Sequence, residues 1–207
     1  MKPAQVVRIC AAAGAIAAIA AGARFHRGWG ATPQEQASEI PGDNFVKRIK
    51  FRSTRAITID APPQAVWPWL AQMGMGRGGW YANDKALQLI SPVSTASATR
   101  IIDDLQDLKV GDAVDLILSV AVKGHLRVPH EVLVLVADEN QRPLQPWVKS
   151  WAFQLRPLPG GATRLIVRET SGWDSWLVHA VTAATGWLWF LGARRQLKNI
   201  KALVEAT

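Results

Sequence analysis

From Trp173 to Ala206 the sequence contains no proline and carries an apolar stripe: Trp173, Trp176, Ala180, Ala184, Trp187 and Leu191, continued by Leu197, Ile200 and Val204. Apolar residues at this spacing predict one long closing helix that lays a face on whatever precedes it. What precedes it is mostly strand. The runs Asp112–Val122, Pro129–Ala137, Val148–Arg156 and Thr163–Thr170 are β-branched or alternating, and Gly160-Gly161 reads as the turn between the last two. Earlier, Ser53–Asp60 alternates and puts Ile57 and Ile59 on one strand face. Asp60-Ala61-Pro62-Pro63 then supplies an N-cap and early prolines for a helix from Gln64 to about Gln72, shortened or kinked by Pro68. A weaker helix is predicted over Asn83–Ile90. Strand, short helices, consecutive strands and a long helix predict an α+β fold: an antiparallel sheet wrapped around the C-terminal helix.

The chain of 207 residues has room for one packed domain and an appendage. Its first segment is the appendage. After the basic start MKPAQVVR, residues 9–23 are uninterrupted apolar sequence. That is about fifteen residues, the length of a signal-peptide core and short of the roughly 17–25 needed to span a bilayer. Ala21-Gly22-Ala23 offers the small-x-small pattern of a cleavage site, whereas Val6 and Val7 extend the run toward an anchor if Arg8 snorkels. Residues 1–23 are therefore expected to be a signal peptide or membrane anchor. The protein would be membrane-associated, or periplasmic or extracytoplasmic if the segment is cleaved. Residues 24–50 read as a connector with a helix start at Thr32-Pro33-Gln34-Glu35 and a turn at Pro41-Gly42-Asp43; residues 51–207 read as the domain.

The formal charge of +8 admits an anionic surface as partner, but the basic residues are scattered and are not interleaved with aromatics. Nucleic acid is not an expected partner. Cys10 is alone, so no intrachain disulfide forms. Ten Trp against one Tyr require a core, a pocket or a membrane interface to receive them.

Within WPWLAQMGMGRGGWY, Gly74–Gly79 satisfies the pattern G-x-G-x-x-G. A dinucleotide fingerprint follows a strand and opens a helix, so that a helix N-terminus faces the pyrophosphate. Here the glycines follow a helix and lead into Trp80-Tyr81, with no βαβ unit around them. The loop reads as a helix C-cap and a tight excursion that delivers Trp80 and Tyr81.

The stretch TRAITIDAPPQAVWPWLAQMGMGRGGWY resembles a subgroup of the SRPBCC superfamily, the START-like, helix-grip or polyketide-cyclase-like proteins. The likeness extends to GWGAT at Gly28–Thr32, Pro41-Gly42-Asp43, LQDLKVGD at Leu105–Asp112, SWAF at Ser150–Phe153 and TRLIVR at Thr163–Arg168. It implies a sheet gripping the C-terminal helix with an apolar cavity between them. The segments Ala82–Ala86 and Ser119–Glu131 depart from the family pattern.

Trp67, Trp151 and Phe153 are read mainly as core. The expected ligand-binding residues are Trp69, Met73, Arg77, Trp80, Tyr81, Trp147 and Trp187, with Arg77 orienting an anionic group at the mouth. No catalytic or metal-binding constellation is legible. His26, His125, His130 and His179 are scattered, no serine stands in a nucleophile elbow, and His130-Glu131 would point to opposite faces of a strand. Of Arg168 and Glu169, one is a candidate inward anchor, although a solvated outer face is the commoner fate of such residues. No cofactor is expected. The expected function is binding or transport of a small hydrophobic ligand (lipid, polyketide or isoprenoid-like) near a membrane. A cyclase- or dehydratase-like enzyme is the alternative.

Overall fold

A computed structural model describes residue 22 and residues 25–85, 96–117, 120–137 and 147–207. The chain is α+β. Strands β1 (Phe51–Ile59), β2 (Ala113–Ile117), β3 (Val120–Val128), β4 (Val132–Ala137), β5 (Trp147–Pro157) and β6 (Thr163–Trp173) form one antiparallel sheet in the order β1-β6-β5-β4-β3-β2. Helix α1 (Pro33–Ala37) precedes the sheet, α2 (Pro63–Ala71) follows β1, and α3 (Trp176–Glu205) closes the chain. A six-stranded antiparallel sheet with a long C-terminal helix is consistent with a helix-grip fold. The N-terminal apolar run and most of the helix expected over Asn83–Ile90 lie outside the described residues.

Three local readings change. The run Asp112–Val122 is not one strand: β2 and β3 pair with each other, so the chain reverses between Ile117 and Val120. No Gly, Pro, Asn or Asp in Leu116–Val122 announces that reversal. His130 and Glu131 sit in the β3–β4 hairpin turn, His130 with a left-handed φ of 66°, and not on a strand. Asp60 does not cap α2; Pro62 occupies the N-cap position without a side-chain hydrogen bond.

The sheet is covered on both faces. On one, Ile59, Leu133, Leu135, Phe153, Leu155, Leu165 and Val167 pack with Val66 and Leu70 of α2 and with Leu197, Ile200 and Val204 of α3. On the other, Ala56, Val132, Val134, Val136, Ala152 and Ile166 lie under Ala31, Ile40 and Phe45. The segment read as a connector is thus packed against the back of the sheet. Two arginines of β6 hold it there. Arg168, 2% exposed, donates through Nε to Thr54 Oγ1 (2.9 Å) and through Nη1 to Ser38 O and Asp43 Oδ2 (both 2.6 Å). Its Nη2 donates to Glu35 O (2.8 Å) and Gln36 O (3.0 Å), carbonyls at the end of α1 that no further turn would satisfy. Arg164 grips the Glu35 carboxylate with Nε and Nη2 at 2.8 and 2.9 Å. Glu35 also closes a capping box with Thr32, so the helix start read from sequence is an anchoring point for β6.

The stripe expected on the closing helix divides. Trp173 belongs to β6, and Trp176, Ala180, Ala184, Trp187 and Leu191 face solvent; only Leu197, Ile200 and Val204 join the core, with Phe190. Between Trp176 and Trp189 no residue of α3 is fully buried; the least exposed are Val178, Thr182, Thr185 and Gly186. Apart from Val178 these are small or polar, so the first half of the helix has little apolar surface to bury.

Replacing Arg168 by Met should cost about 3–5 kcal/mol, since Asp43 would be left without its buried counter-charge. Limited proteolysis should then cut within 29–46 while the sheet remains intact. Arg48→Ala, which removes an exposed pair with Asp174, should barely change the urea midpoint.

Candidate functional site

The glycine loop is a small hairpin. Gly74 and Gly79 exchange backbone hydrogen bonds at 3.0 and 2.9 Å, and Met75 N donates to Asp115 O of β2. A side chain at Gly79, whose φ is 76°, would run into Ser97 Cα at 2.6 Å. The amides of Gly74, Met75, Arg77, Gly78 and Gly79 all donate to backbone carbonyls, which leaves them no donor for a phosphate. Arg77 folds back: its Nη2 donates to Ala71 O (3.1 Å) and Leu105 O (3.0 Å), stapling the end of α2 to the following loop.

Beyond the loop the aromatic residues meet one another. Trp80 stacks on Trp151 with ring centroids 5.0 Å apart and donates Nε1 to Asp115 O (3.2 Å). Trp69 meets Tyr81 edge-on at 5.9 Å. Tyr81, held at a left-handed φ of 54°, accepts from Gln72 Nε2 at its phenol (2.7 Å) and from Asn199 Nδ2 at its carbonyl (2.7 Å). Burial, opposed by that Gln72 contact, pushes the Tyr81 phenol up to about 12. Gln196 of α3 joins the group by donating to Trp80 O at 2.9 Å, near Met73 Sδ at 3.8 Å. Trp69, Met73, Trp80 and Tyr81 therefore come together as buried neighbours. Trp187 stands apart, half-exposed on α3 against His26 and Phe190, and the side chain of Trp147 lies outside the described part. A cavity between helix and sheet is not shown. Two hollows, of about 520 and 720 Å³, are lined by other residues, Ile40, Pro41 and Asn44 in one and Phe25, Trp29 and Thr54 in the other.

The helix-facing side carries a second feature, of which the sequence singles out only Glu169, as one of two candidate inward anchors with Arg168. Ser53, Arg55 and Ile57 share that face of β1; Lys149 and Trp151 share it on β5; Val167 and Glu169 share it on β6. Toward the Trp173 end of the sheet the wall thus turns from apolar to charged. Lys149 Nζ meets Glu169 Oε1 at 2.5 Å, and Arg55 Nη1 lies 3.6 Å from Glu169 Oε2. Arg55 also donates Nε to His26 O (3.0 Å). Aromatic rings roof the cluster: Phe190 over Arg55 at 5.8 Å, with Lys149 between Trp151 (5.3 Å) and Trp189 (5.1 Å). Arg55 is 2% exposed and Lys149 5%.

Two buried cations thus share one carboxylate. Among the described residues, seven buried side-chain atoms lack a hydrogen-bond partner: Arg55 Nη2, Ser53 Oγ and His26 Nδ1 here, and Arg77 Nε, Arg127 Nε, Thr170 Oγ1 and Arg194 Nε elsewhere. Burial raises the Glu169 carboxyl, but Lys149 and Arg55 outweigh it and hold the group below its ordinary value of 4.5. Burial lowers Arg55, partly offset by Glu169; burial, with Arg27 and Arg55, also lowers His26, which is then neutral at pH 7. The inward alternation was the available signal. Ile57 and Ile59 on one face put Arg55 on that same face, since strand side chains repeat every two residues.

No family model matches the chain, and no curated protein matches it in sequence. Solved structures align loosely. A protein of Mesorhizobium loti is 15% identical, with 74% of this chain and 98% of its own covered and a TM-score of 0.44. A protein of Chromobacterium violaceum is 20% identical, with 74% and 96% covered and a TM-score of 0.44. An HSP90 activator from Plasmodium falciparum is 13% identical, with 74% and 95% covered and a TM-score of 0.42. Likenesses this distant say nothing of ligand or activity.

Glu169→Gln should destabilise the chain by about 3–5 kcal/mol by leaving Lys149 and Arg55 buried against no charge. Because the folded carboxyl is depressed, its contribution is complete above the ordinary carboxylate value and is lost as pH falls through the folded one. Urea midpoints measured at descending pH should therefore fall below pH 4.5 in the wild type. The Gln variant should start lower and lose less.

Proposed function

We propose that the domain binds a small amphipathic ligand, an apolar body bearing an anionic head, between the sheet and α3. The class is lipid-, polyketide- or isoprenoid-like, and binding takes place near a membrane. The observation that carries this reading is the unshared Nη2 of buried Arg55. It stands beside Lys149 and a single carboxylate, under the rings of Trp189 and Phe190. A ligand carboxylate or phosphate supplies the acceptor that Arg55 lacks and balances the second cation. The apolar body gains about 25 cal/mol per Å² of surface removed from water against Trp151, Trp189 and Phe190. Ligand entry on this reading requires the aromatic roof to move, since the rings close over the cluster.

The same cluster leaves room for the enzymatic alternative. His26, neutral, buried and unpartnered at Nδ1, stands at Arg55 and could take a proton from a bound polyketide-like chain held by the cations. The two readings separate on residue dependence: binding rests on Arg55, turnover on His26.

Native mass spectrometry of the full-length protein extracted from its own membrane should report a bound mass of this class. In titrations followed by Trp fluorescence, a long-chain fatty acid should bind and the matching alcohol should bind much more weakly. Arg55→Met should weaken the acid roughly tenfold to a hundredfold, the worth of a charged hydrogen bond, and leave the alcohol unchanged. Equal binding of acid and alcohol, or no binding of either, sinks the reading.

A further inference from the structure

The first half of α3 is built inside out for a helix in water. Between Asp174 and Arg194 the sequence has no Asp, Glu, Lys or Arg. Leu177, Val181, Ala184, Leu188 and Leu191 fall on one line of the helix surface, and that line faces away from the sheet. Leu188 is 70% exposed, Leu177 57%, and Val181 and Leu191 53% each; Trp176 at 80% and Trp187 at 50% flank the line. The same line continues through Arg195 and Lys198, both exposed, so the outer surface of α3 changes from apolar to basic along its length.

We infer that this surface is a membrane-binding face, seated in an anionic lipid bilayer with α3 lying in the plane of the interface. Three observations select a bilayer as the occupant. The exposed apolar residues wrap well beyond one line, whereas a single partner helix covers a single stripe. Trp176 and Trp187 flank the line with exposed amphipathic rings, the residues an interfacial helix carries beside its leucines. Arg195 and Lys198 continue the face with the charge that anionic headgroups attract.

The orientation follows from what holds the two ends. By length and composition alone the helix could cross a membrane. Its second half is committed to the domain through Leu197, Ile200 and Val204, and Trp189 and Phe190 lie over Lys149 and Arg55. Its start is tied to the sheet: Ser175 caps it, and His179 lies against Trp173, the last residue of β6, with ring centroids 6.0 Å apart. The free stretch Trp176–Leu188 rises only about 20 Å at about 1.5 Å per residue, against a hydrocarbon core of about 30 Å. A stretch this short, tethered at both ends, lies along the interface and does not cross it. The inference requires no bound ligand, so it stands or falls apart from the binding reading.

Spin labels test it. In the full chain with Cys10→Ser, single cysteines replace Val181, Leu188 or, as a control, Lys47. The proteins are measured with and without vesicles of phosphatidylglycerol and phosphatidylcholine in equal parts. Labels at 181 and 188 should become several-fold more accessible to oxygen than to a water-soluble nickel relaxant when vesicles are added, while the label at 47 stays aqueous. Membrane attachment through residues 1–23 does not mimic this result, because the readout is local to α3. Arg195→Glu with Lys198→Glu should weaken vesicle binding roughly tenfold or more at low salt, or reduce label depth if the N-terminal segment retains the protein. Two results overturn the inference. One is labels at 181 and 188 that stay aqueous on vesicles; the other is labels already immobilised in buffer, which would mean that another part of the chain covers the stripe.

Discussion

Strand β6 is covered on both faces, and its adjacent residues Arg168 and Glu169 both carry charge into the interior. A buried charge is tolerated only where partners and hydrogen bonds replace the lost water. The two solutions differ. Behind the sheet, Arg168 is fully served by Thr54, Asp43 and the last carbonyls of α1, which fastens residues 29–46 to the domain. In front, Glu169 is over-served by Lys149 and Arg55, which leaves Arg55 with an unused donor. One charge closes the fold; the other leaves an interior that is complementary to an anion.

The glycine loop and the aromatic residues after it belong to the apolar part of the same interior. Gly74–Gly79 turns α2 back onto β2, Arg77 locks the turn through two carbonyls, and Trp80 and Tyr81 fill the space beneath α3. Gln72, Gln196 and Asn199 satisfy the polar atoms that these large side chains bring with them. The polar cluster lies nearer the start of α3, past Trp151, under Trp189 and Phe190. The buried charges and the exposed apolar surface of α3 thus lie toward the same end of the helix, so the proposed ligand and the proposed membrane face both fall at this end of the molecule.

Much of this was legible beforehand. Alternation in Ser53–Asp60, the Gly160-Gly161 turn and the proline-free C-terminal run led to the correct order of β1, α2, β5, β6 and α3. The capping pattern Thr32–Glu35 located α1. The boundary between β2 and β3 was missed because the residues there carry no turn chemistry. Trp and Gly make the loop conspicuous in sequence, and of the charged cluster only Glu169 stands out, as an alternative to Arg168; Arg55 and Lys149 look like ordinary surface charges until their strands are paired. Their positions, two residues from Ile57, Trp151 and Val167, already fixed their side of the sheet; nothing in the sequence showed that both sides would be covered.

By itself the sequence determined most of the elements, their order and the face that residues of β1, β5 and β6 take, because these follow from spacing along the chain. The tertiary structure alone decided which faces meet water. Residues 29–46 fold over the back of β6 and remove Arg168 from solvent; β1, β5 and β6 bring three distant charges within reach of one another; and α3 runs out of inward apolar residues before it runs out of helix. Each of these depends on contacts between segments far apart in the chain, where burial, not spacing, sets the free energy of a charge or of an exposed leucine.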